Sequence, residues 1–169
     1  PDINFSDPLF SIEINDSSKS IRFGLAAIKG VGLKSISSMV DERNKNGKFK
    51  SIIDFMNRVS KEVINKRQLE KLIQAGAFDS IEVNRSKLFH NVPNFVELYG
   101  GEKNNNQDML FEENEISFED KNLFNQNYEK WKNAEILSNE LEVIGFYFSD
   151  HPLNHYPKKF FELENIMSF

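Results

Sequence analysis

The stretch IRFGLAAIKGVGLKSI, residues 21–36, places two glycines, Gly30 and Gly32, one residue apart between two short apolar segments. Glycine reaches positive φ without strain and lets a neighbouring group approach the backbone closely. The stretch therefore predicts a tight corner between two helical segments. We call residues 28–35 the glycine corner.

The glycine corner has two interpretations. A helix N-terminus presents unpaired backbone N–H groups and a partial positive charge, so it stabilises an anion without any side chain. The N–H groups of Gly32, Leu33 and Lys34 would then face a phosphate, with Lys29 adding charge from the other side. In the alternative, the glycines only allow two helices to pack closely. The short pattern alone leaves both open.

Two other phosphate-binding glycine motifs fit the corner poorly. A dinucleotide-binding fingerprint needs a third glycine where this chain has Ser35, and it follows a buried strand. A P-loop ends in Gly-Lys-Ser/Thr, whereas this corner continues Gly-Leu-Lys.

Charge is distributed unevenly along the chain, whose formal net charge is −5. Residues 19–71 contain 13 Lys or Arg and 5 Asp or Glu, whereas residues 101–169 contain 6 and 14, so the regions carry +8 and −8. This asymmetry suggests contact with a polyanion on one side only. Ordinary variation among solvated surfaces would explain it equally well.

The composition describes a globular chain of 169 residues with 39% apolar residues, among which 16 Phe are expected to dominate the core. The absence of Cys excludes disulfides and thiolate metal sites. No apolar run is long enough to span a membrane, and PDINFSDPLF lacks the features of a signal peptide. We expect a cytoplasmic protein without membrane contact, and a chain that starts within a longer one.

Hydrophobic periodicity predicts a mainly α-helical fold that starts with a small β-hairpin. The hairpin signal is alternation of apolar and polar residues on both sides of NDSSK, at Ile12, Ile14, Ile21 and Phe23. Helices are expected from Leu33 to about Asn46 and across residues 52–59, with Ser51 as N-cap. Further helices are expected from Lys66 to Ala75, ending at Gly76 with Phe78 folded back, and from the N-cap Asn84 to a kink or restart at Pro93.

Composition changes after residue 99. Residues 100–120 are polar, acidic and poor in β-branched residues, which predicts a flexible linker. A long helical pattern follows at about 122–141. The stretch LEVIGFYF, residues 141–148, is strand-like until prolines break it.

Several stretches in a fixed order resemble the alpha subunit of bacterial DNA polymerase III, the C family of replicative polymerases. They are IRFGLAAIKGVGLKSI, FKSIIDFMNRV, NKRQLEKLIQAGAFDSI and LEVIGFYFSDHPLNHY. The resemblance covers nearly the whole chain and implies tandem helix-hairpin-helix motifs that hold newly made duplex DNA. It implies four regions: a β-hairpin at the end of the fingers (1–24), the tandem helix-hairpin-helix domain (25–99), the linker (100–120), and a helix and tail toward an oligonucleotide-binding (OB) domain that the chain is too short to contain (121–169).

The family's hairpin motif maps onto the glycine corner, whereas the second unit, RVSKEVINKRQLEKL, has no Gly-x-Gly. We call residues 60–68 the second corner, and phosphate contact there would rest on other residue types. The predicted DNA-binding residues are Lys29, Gly30, Val31, Gly32, Leu33 and Lys34 in the first unit and Asn65, Lys66 and Arg67 in the second.

The sequence QDMLF in the linker resembles the Gln-x-x-Leu-Phe peptide that docks bacterial replication proteins on the sliding clamp. An apolar pair in a flexible acidic segment is a natural anchor for an apolar pocket, and the segment can order on binding. In the alternative, the apolar residues pin the linker onto this chain's own core. The predicted clamp-binding residues are Gln107, Asp108, Met109, Leu110 and Phe111.

No catalytic residue is expected here, because the resemblance places the polymerase's catalytic aspartates, and the Mg²⁺ it is expected to use, in the palm before this chain. His151 and His155 are four apart, but Pro152 works against a helix face that presents both, and no further ligands complete a metal site. The carboxylates of residues 112–120 lie in a linker that does not hold them at a fixed spacing. Trp131 and the Phe residues are expected in the core.

The sequence thus predicts a non-catalytic part of a DNA-directed DNA polymerase that binds duplex DNA, helps tether the enzyme to the sliding clamp and meets other replicase subunits. The alternative is an interaction module that binds protein only. The basic stretch favours DNA, while the overall negative charge and the glycine-free second corner favour the alternative.

Overall fold

The computed structural model describes residues 1–15, 18–60, 62–99 and 127–155, and in them a two-stranded hairpin precedes five α-helices. The strands are β1 (Ser11–Asn15) and β2 (Ser18–Arg22). The helices are α1 (Leu33–Asn46), α2 (Ile52–Arg58), α3 (Lys66–Gln74), α4 (Arg85–Tyr99) and α5 (Asn133–Val143), with short 3₁₀ helices at Leu25–Ala27 and Pro152–His155. The predicted mainly α-helical fold with an N-terminal hairpin is confirmed.

The hairpin pairs its strands antiparallel, with Ile12 opposite Ile21. On the other face, Arg22 Nη2 donates to Glu13 Oε2 at 2.8 Å. The alternation of apolar residues correctly predicts both strands. The apolar face nevertheless points to solvent in this chain, since Ile12, Ile14 and Ile21 are each more than 70% exposed.

Local signals set the helix ends as the sequence predicts. Ser51 caps α2, because its Oγ accepts the Asp54 N–H at 3.1 Å. α3 ends in a Schellman motif, in which the Ala77 N–H donates to Leu72 O and the Gly76 N–H to Ile73 O. Gly76 has φ +75°, a conformation that residues with a Cβ rarely adopt.

The fourth helix differs in part from its prediction. Asn84 is its N-cap, since the Asn84 Oδ1 accepts the Lys87 N–H at 3.1 Å. Pro93 lies inside α4, and the helix does not restart there.

Aromatic side chains form the centre of the core. Phe49 and Phe78 each meet Phe55 edge to face with ring centroids 5.0 Å apart, and Phe95 is also fully buried. α3 packs against α4 and α5, and α2 packs against α4. The prediction that Phe residues and Trp131 lie in the core is wrong for Trp131, which is half-buried, and for four Phe residues that are about half exposed: Phe5, Phe10, Phe146 and Phe148.

The C-terminal region corrects two predictions. The helix expected over 122–141 starts only at Asn133, and residues 127–132 are not helical. The strand-like stretch 141–148 continues α5 as far as Val143. It forms no strand because the Glu140 carboxylate, through Oε2, accepts the backbone N–H groups of Phe148 and Ser149, which a strand would offer to a neighbour.

Candidate nucleic-acid interface

The glycine corner is a tight turn between the 3₁₀ helix Leu25–Ala27 and α1. The Val31 N–H donates to Ile28 O at 3.1 Å and closes the turn. Gly30 has φ +82°, where an L side chain is strained even though only the Lys71 side chain lies nearby. Gly32 is the N-cap residue of α1 and has extended backbone angles.

The first turn of α1 leaves its backbone donors unpaired. No side chain caps the helix, and the Ile36 N–H, which donates to Gly32 O at 3.1 Å, makes the first helical bond. Within the described residues, the N–H groups of Gly32, Leu33, Lys34 and Ser35 have no hydrogen-bond acceptor. Gly32, Leu33 and Lys34 are exposed, so these donors face solvent at the positive end of the helix dipole.

Two lysines flank these donors. The side chains of Lys29 and Lys34 are exposed, and neither forms an ion pair in the part of the chain that the structure describes. The corner thus combines free N–H groups with two uncompensated positive charges.

Val31 does not contribute to this surface. Its side chain is 7% exposed and belongs to the hydrophobic core, and its N–H is already bonded to Ile28. The assignment of Val31 as a DNA-binding residue stays a prediction, and its buried side chain would support the corner from within the core.

The C-terminal end of α5 supports the glycine corner from behind. The Lys29 N–H donates to Val143 O, the last residue of α5, at 2.8 Å. Lys71 of α3 forms an ion pair with Glu142 of α5 at 2.5 Å. The position of the corner therefore depends on the docking of α5.

Glu140 fastens α5 to the rest of the chain. Its side chain is fully buried and accepts a hydrogen bond from Arg85 Nη1 at 3.0 Å, besides those from Phe148 and Ser149. Burial acts to raise the pKa of Glu140, but hydrogen bonds, first from the Ser149 N–H and then from Arg85, outweigh it and hold the pKa below its ordinary value.

The second corner partly caps its own helix start. Asn65 Oδ1 accepts the Gln68 N–H at 3.0 Å, and Gln68 Oε1 accepts the Asn65 N–H at 3.1 Å, which forms a capping box on α3. Lys66 and Arg67 are exposed, and Lys66 lies 4.0 Å from Glu70. The predicted phosphate contact of the Asn65 side chain competes with this capping role.

The two corners are neighbours in space. Gln68 Nε2 donates to Ser35 Oγ at 3.2 Å and thereby connects the first turns of α3 and α1. Lys71 also approaches the glycine corner, with its Cγ 3.8 Å from where a Cβ on Gly30 would lie. Our sequence analysis missed both residues, although the Asn-x-x-Gln spacing of 65–68 is a recognisable capping-box signal.

The HPLNH segment forms a local turn. Pro152–His155 is a 3₁₀ helix, and His155 pairs with Asp150 at 2.8 Å. The Asn154 amide and the His151 N–H, with smaller contributions from His155 and Asn133, lower the pKa of Asp150 to about 2, against a weaker opposite effect of burial.

Other sequence-based assignments concern sites away from the corners. In residues 1–15, 18–60, 62–99 and 127–155, no three His, Cys, Asp or Glu side chains group in a way that could hold a metal ion. No helix of the described residues is long and apolar enough to cross a membrane. The proposed clamp-binding residues Gln107 to Phe111 lie outside the described residues.

Comparison with known proteins agrees with the observed architecture. Residues 1–88 match the family model of the helix-hairpin-helix motif. DNA polymerase III subunit alpha of Borreliella burgdorferi is 41% identical over 162 residues, and the protein of the same name from Neisseria meningitidis is 40% identical over 162 residues. Each alignment covers 94% of this chain and 14% of the relative.

A third relative extends the match to the whole chain. DNA polymerase III subunit alpha of Campylobacter jejuni is 34% identical over 172 aligned residues, which cover 100% of this chain. The chain spans only 12–14% of the length of the curated relatives it matches. The chain therefore belongs to the helix-hairpin-helix motif family and corresponds to one region of DNA polymerase III alpha subunits.

Proposed function

We propose that this chain holds duplex DNA by its phosphate backbone, through the glycine corner, within a replicative DNA polymerase. The observation that carries the proposal is the uncapped start of α1, where exposed residues have backbone N–H groups without an acceptor in the described chain and Lys29 and Lys34 are also exposed. A phosphate there gains hydrogen bonds and a favourable helix dipole without displacing an existing partner. Because backbone donors do not contact base edges, the binding is expected to be independent of DNA sequence.

The second corner is proposed to contribute positive charge to the DNA-binding surface and few hydrogen bonds. Lys66 and Arg67 extend the basic surface beside the glycine corner, but the start of α3 is already capped by Asn65 and Gln68. Phosphate contact at the second corner is therefore expected to be weaker than at the first.

The parent protein is proposed to be a cytoplasmic DNA-directed DNA polymerase that works with other replicase subunits. The names and identities of the relatives support this. Its catalytic carboxylates and Mg²⁺ are expected outside this chain. No cluster of His, Cys, Asp or Glu in the described residues could hold a metal ion, and the role proposed for them is to bind the duplex.

The proposal is tested by titrating labelled duplex DNA with the 169-residue chain at several salt concentrations. Affinity should fall with salt, with a slope of about 0.9 for each phosphate contacted. Lys29→Glu combined with Lys34→Glu should abolish measurable binding, because it removes both charges beside the free N–H groups.

A matched control is Lys45→Glu combined with Lys50→Glu, which makes the same change of net charge on exposed lysines away from the glycine corner. This control should lose much less affinity. Equal losses in both double variants, or none in the Lys29 and Lys34 variant, would argue against the corner as the site. A parent chain without any duplex binding would favour the alternative, a module that binds protein only.

We also propose that the linker tethers the polymerase to the sliding clamp through residues 107–111, supported by the QDMLF sequence. The triple variant Gln107→Ala, Leu110→Ala, Phe111→Ala should abolish binding to purified clamp in calorimetry. Duplex binding should stay unchanged in this variant, because the corners are untouched. Clamp affinity equal to that of the parent would rule out this motif.

A further inference from the structure

The side chain of Gln68 makes two different hydrogen bonds. Its Oε1 accepts the Asn65 N–H at 3.1 Å and completes the cap of α3, while its Nε2 donates to Ser35 Oγ at 3.2 Å. Ser35 lies in the first turn of α1, beside the free N–H groups of the glycine corner. One half-buried amide therefore joins two helix starts that are 33 positions apart in the sequence.

We propose that Gln68 is a positioning residue that holds the starts of α1 and α3 side by side, so that both corners meet one DNA backbone together. This inference rests on the proposed duplex binding and adds a role that neither corner has alone. Gln68 itself is not proposed to contact DNA.

The packing of the helices makes this hydrogen bond important. The backbone of α3 lies close to α4 and α5 and makes few close approaches to α1. Both α1 and α3 place apolar side chains in the common core, Ile36 and Leu69 among them, and the bond between Gln68 and Ser35 adds a directional polar contact at their starts.

The capping box makes the Gln68 side chain a suitable link. Because its Oε1 is bound to the Asn65 N–H, the direction of the amide is already set, and its Nε2 faces Ser35 without a further loss of side-chain freedom. A residue at position 68 without a contact to Ser35 would leave the start of α1 free to move relative to the start of α3.

The decisive variant is Ser35→Ala, which removes the acceptor for Nε2 and keeps the capping box intact. It should bind duplex DNA roughly threefold to tenfold more weakly than the parent, as expected for one lost hydrogen bond. Its salt slope should fall by about one, because fewer phosphates are engaged at the same time. Ser35→Thr keeps the hydroxyl acceptor and should bind like the parent.

A second pair of variants separates positioning from helix stability. Asn65→Ala and Gln68→Ala both break the capping box, but only Gln68→Ala also breaks the link to Ser35. Both should lower the melting temperature by similar amounts, whereas the salt slope should fall only in Gln68→Ala. A merely structural role of Gln68 would give the two variants the same slope.

The outcomes distinguish this inference from the function on which it rests. If the parent binds no duplex, the proposed function fails and this inference fails with it. If the parent binds but Ser35→Ala keeps the parent's affinity and slope, only the positioning role is overturned. Equal slopes for Asn65→Ala and Gln68→Ala would overturn it as well.

Discussion

The glycine corner and the second corner occupy equivalent places, each between two helical segments and at the start of the second one. They differ in how they treat the backbone donors there. In the glycine corner, Gly32 leaves the first N–H groups of α1 without an acceptor in the described chain. In the second corner, the side chains of Asn65 and Gln68 satisfy two of the four corresponding donors, the N–H groups of Gln68 and Asn65.

This difference in capping affects both the binding of an anion and the stability of each helix. Glycine as the N-cap costs a helix only about a few tenths of a kcal/mol relative to a capping side chain, so α1 loses little stability by leaving its donors uncapped. Its first turn also has no acidic side chain that would neutralise the dipole. The glycine corner thus leaves all of its first-turn donors available to an external anion, whereas the second corner uses two of them to stabilise α3.

The largest expected effect concerns the support of the glycine corner by α5. Glu140→Ala leaves the Arg85 guanidinium with one carboxylate fewer and frees the N–H groups of Phe148 and Ser149, so it should destabilise the chain by about 3 kcal/mol. Chemical denaturation measures this loss. The exposed Glu129 offers a control, since Glu129→Ala should change stability by less than about 0.5 kcal/mol.

The same residue predicts a dependence on pH. Because the pKa of Glu140 is lower in the folded chain than its ordinary 4.5, the unfolded chain binds more protons as the solution is acidified. The stability that Glu140 contributes is complete above about pH 4.5 and is lost as the pH falls through the folded value. The parent should therefore lose stability below this pH more steeply than Glu140→Ala, and parallel curves would contradict the assignment.

An intermediate effect is expected when the glycine corner is made to resemble the second corner. Gly32→Asp places a capping carboxylate at the start of α1, and the backbone tolerates it, since a Cβ there would be 3.7 Å from the nearest atom. Duplex affinity should fall about tenfold, because the cap competes with phosphate and repels it. The helix itself should gain a few tenths of a kcal/mol.

Gly32→Asn separates competition by the cap from repulsion by its charge, because asparagine caps the helix with a neutral side chain. It should weaken duplex binding less than Gly32→Asp. If both variants bind as tightly as the parent, the free N–H groups are not where phosphate binds, and the lysines alone would carry the affinity.

The smallest expected effect on duplex affinity comes from removing the side-chain cap of the second corner. Asn65→Ala removes the cap of α3 and should cost about 1 kcal/mol in the free energy of unfolding. Its duplex affinity should change by less than about twofold, because the N–H groups of the glycine corner are untouched. A loss of affinity larger than that of Gly32→Asp would reverse the comparison between the corners.

Local signals in the sequence predicted most of the helices but not the contacts that each helix makes with distant parts of the chain. Ser51, Gly76 and Asn84 mark helix ends through side-chain or backbone bonds within a few residues, so they are visible without tertiary structure. The strand prediction for residues 141–148 was wrong because their apolar pattern is typical of a strand. The structure shows that the Glu140 carboxylate accepts the backbone N–H groups of Phe148 and Ser149 instead.

In the candidate site, too, local features were predicted from the sequence and long-range contacts were not. The Gly-x-Gly spacing and its lysines located the first corner, since a positive φ and free helix donors are local properties. The burial of Val31 was not predicted, because it depends on the core that forms beneath the corner. Gln68 and the end of α5 were missed because their contacts with Ser35 and Lys29 join distant parts of the chain.

Caps, periodicity and motif spacing act over a few residues, and they were enough to predict most of the helices, the glycine corner and the family. Only the tertiary structure shows that the two corners lie side by side and that α5 supports the first. Those features depend on hydrogen bonds and burial between segments far apart in the chain, which no local pattern specifies.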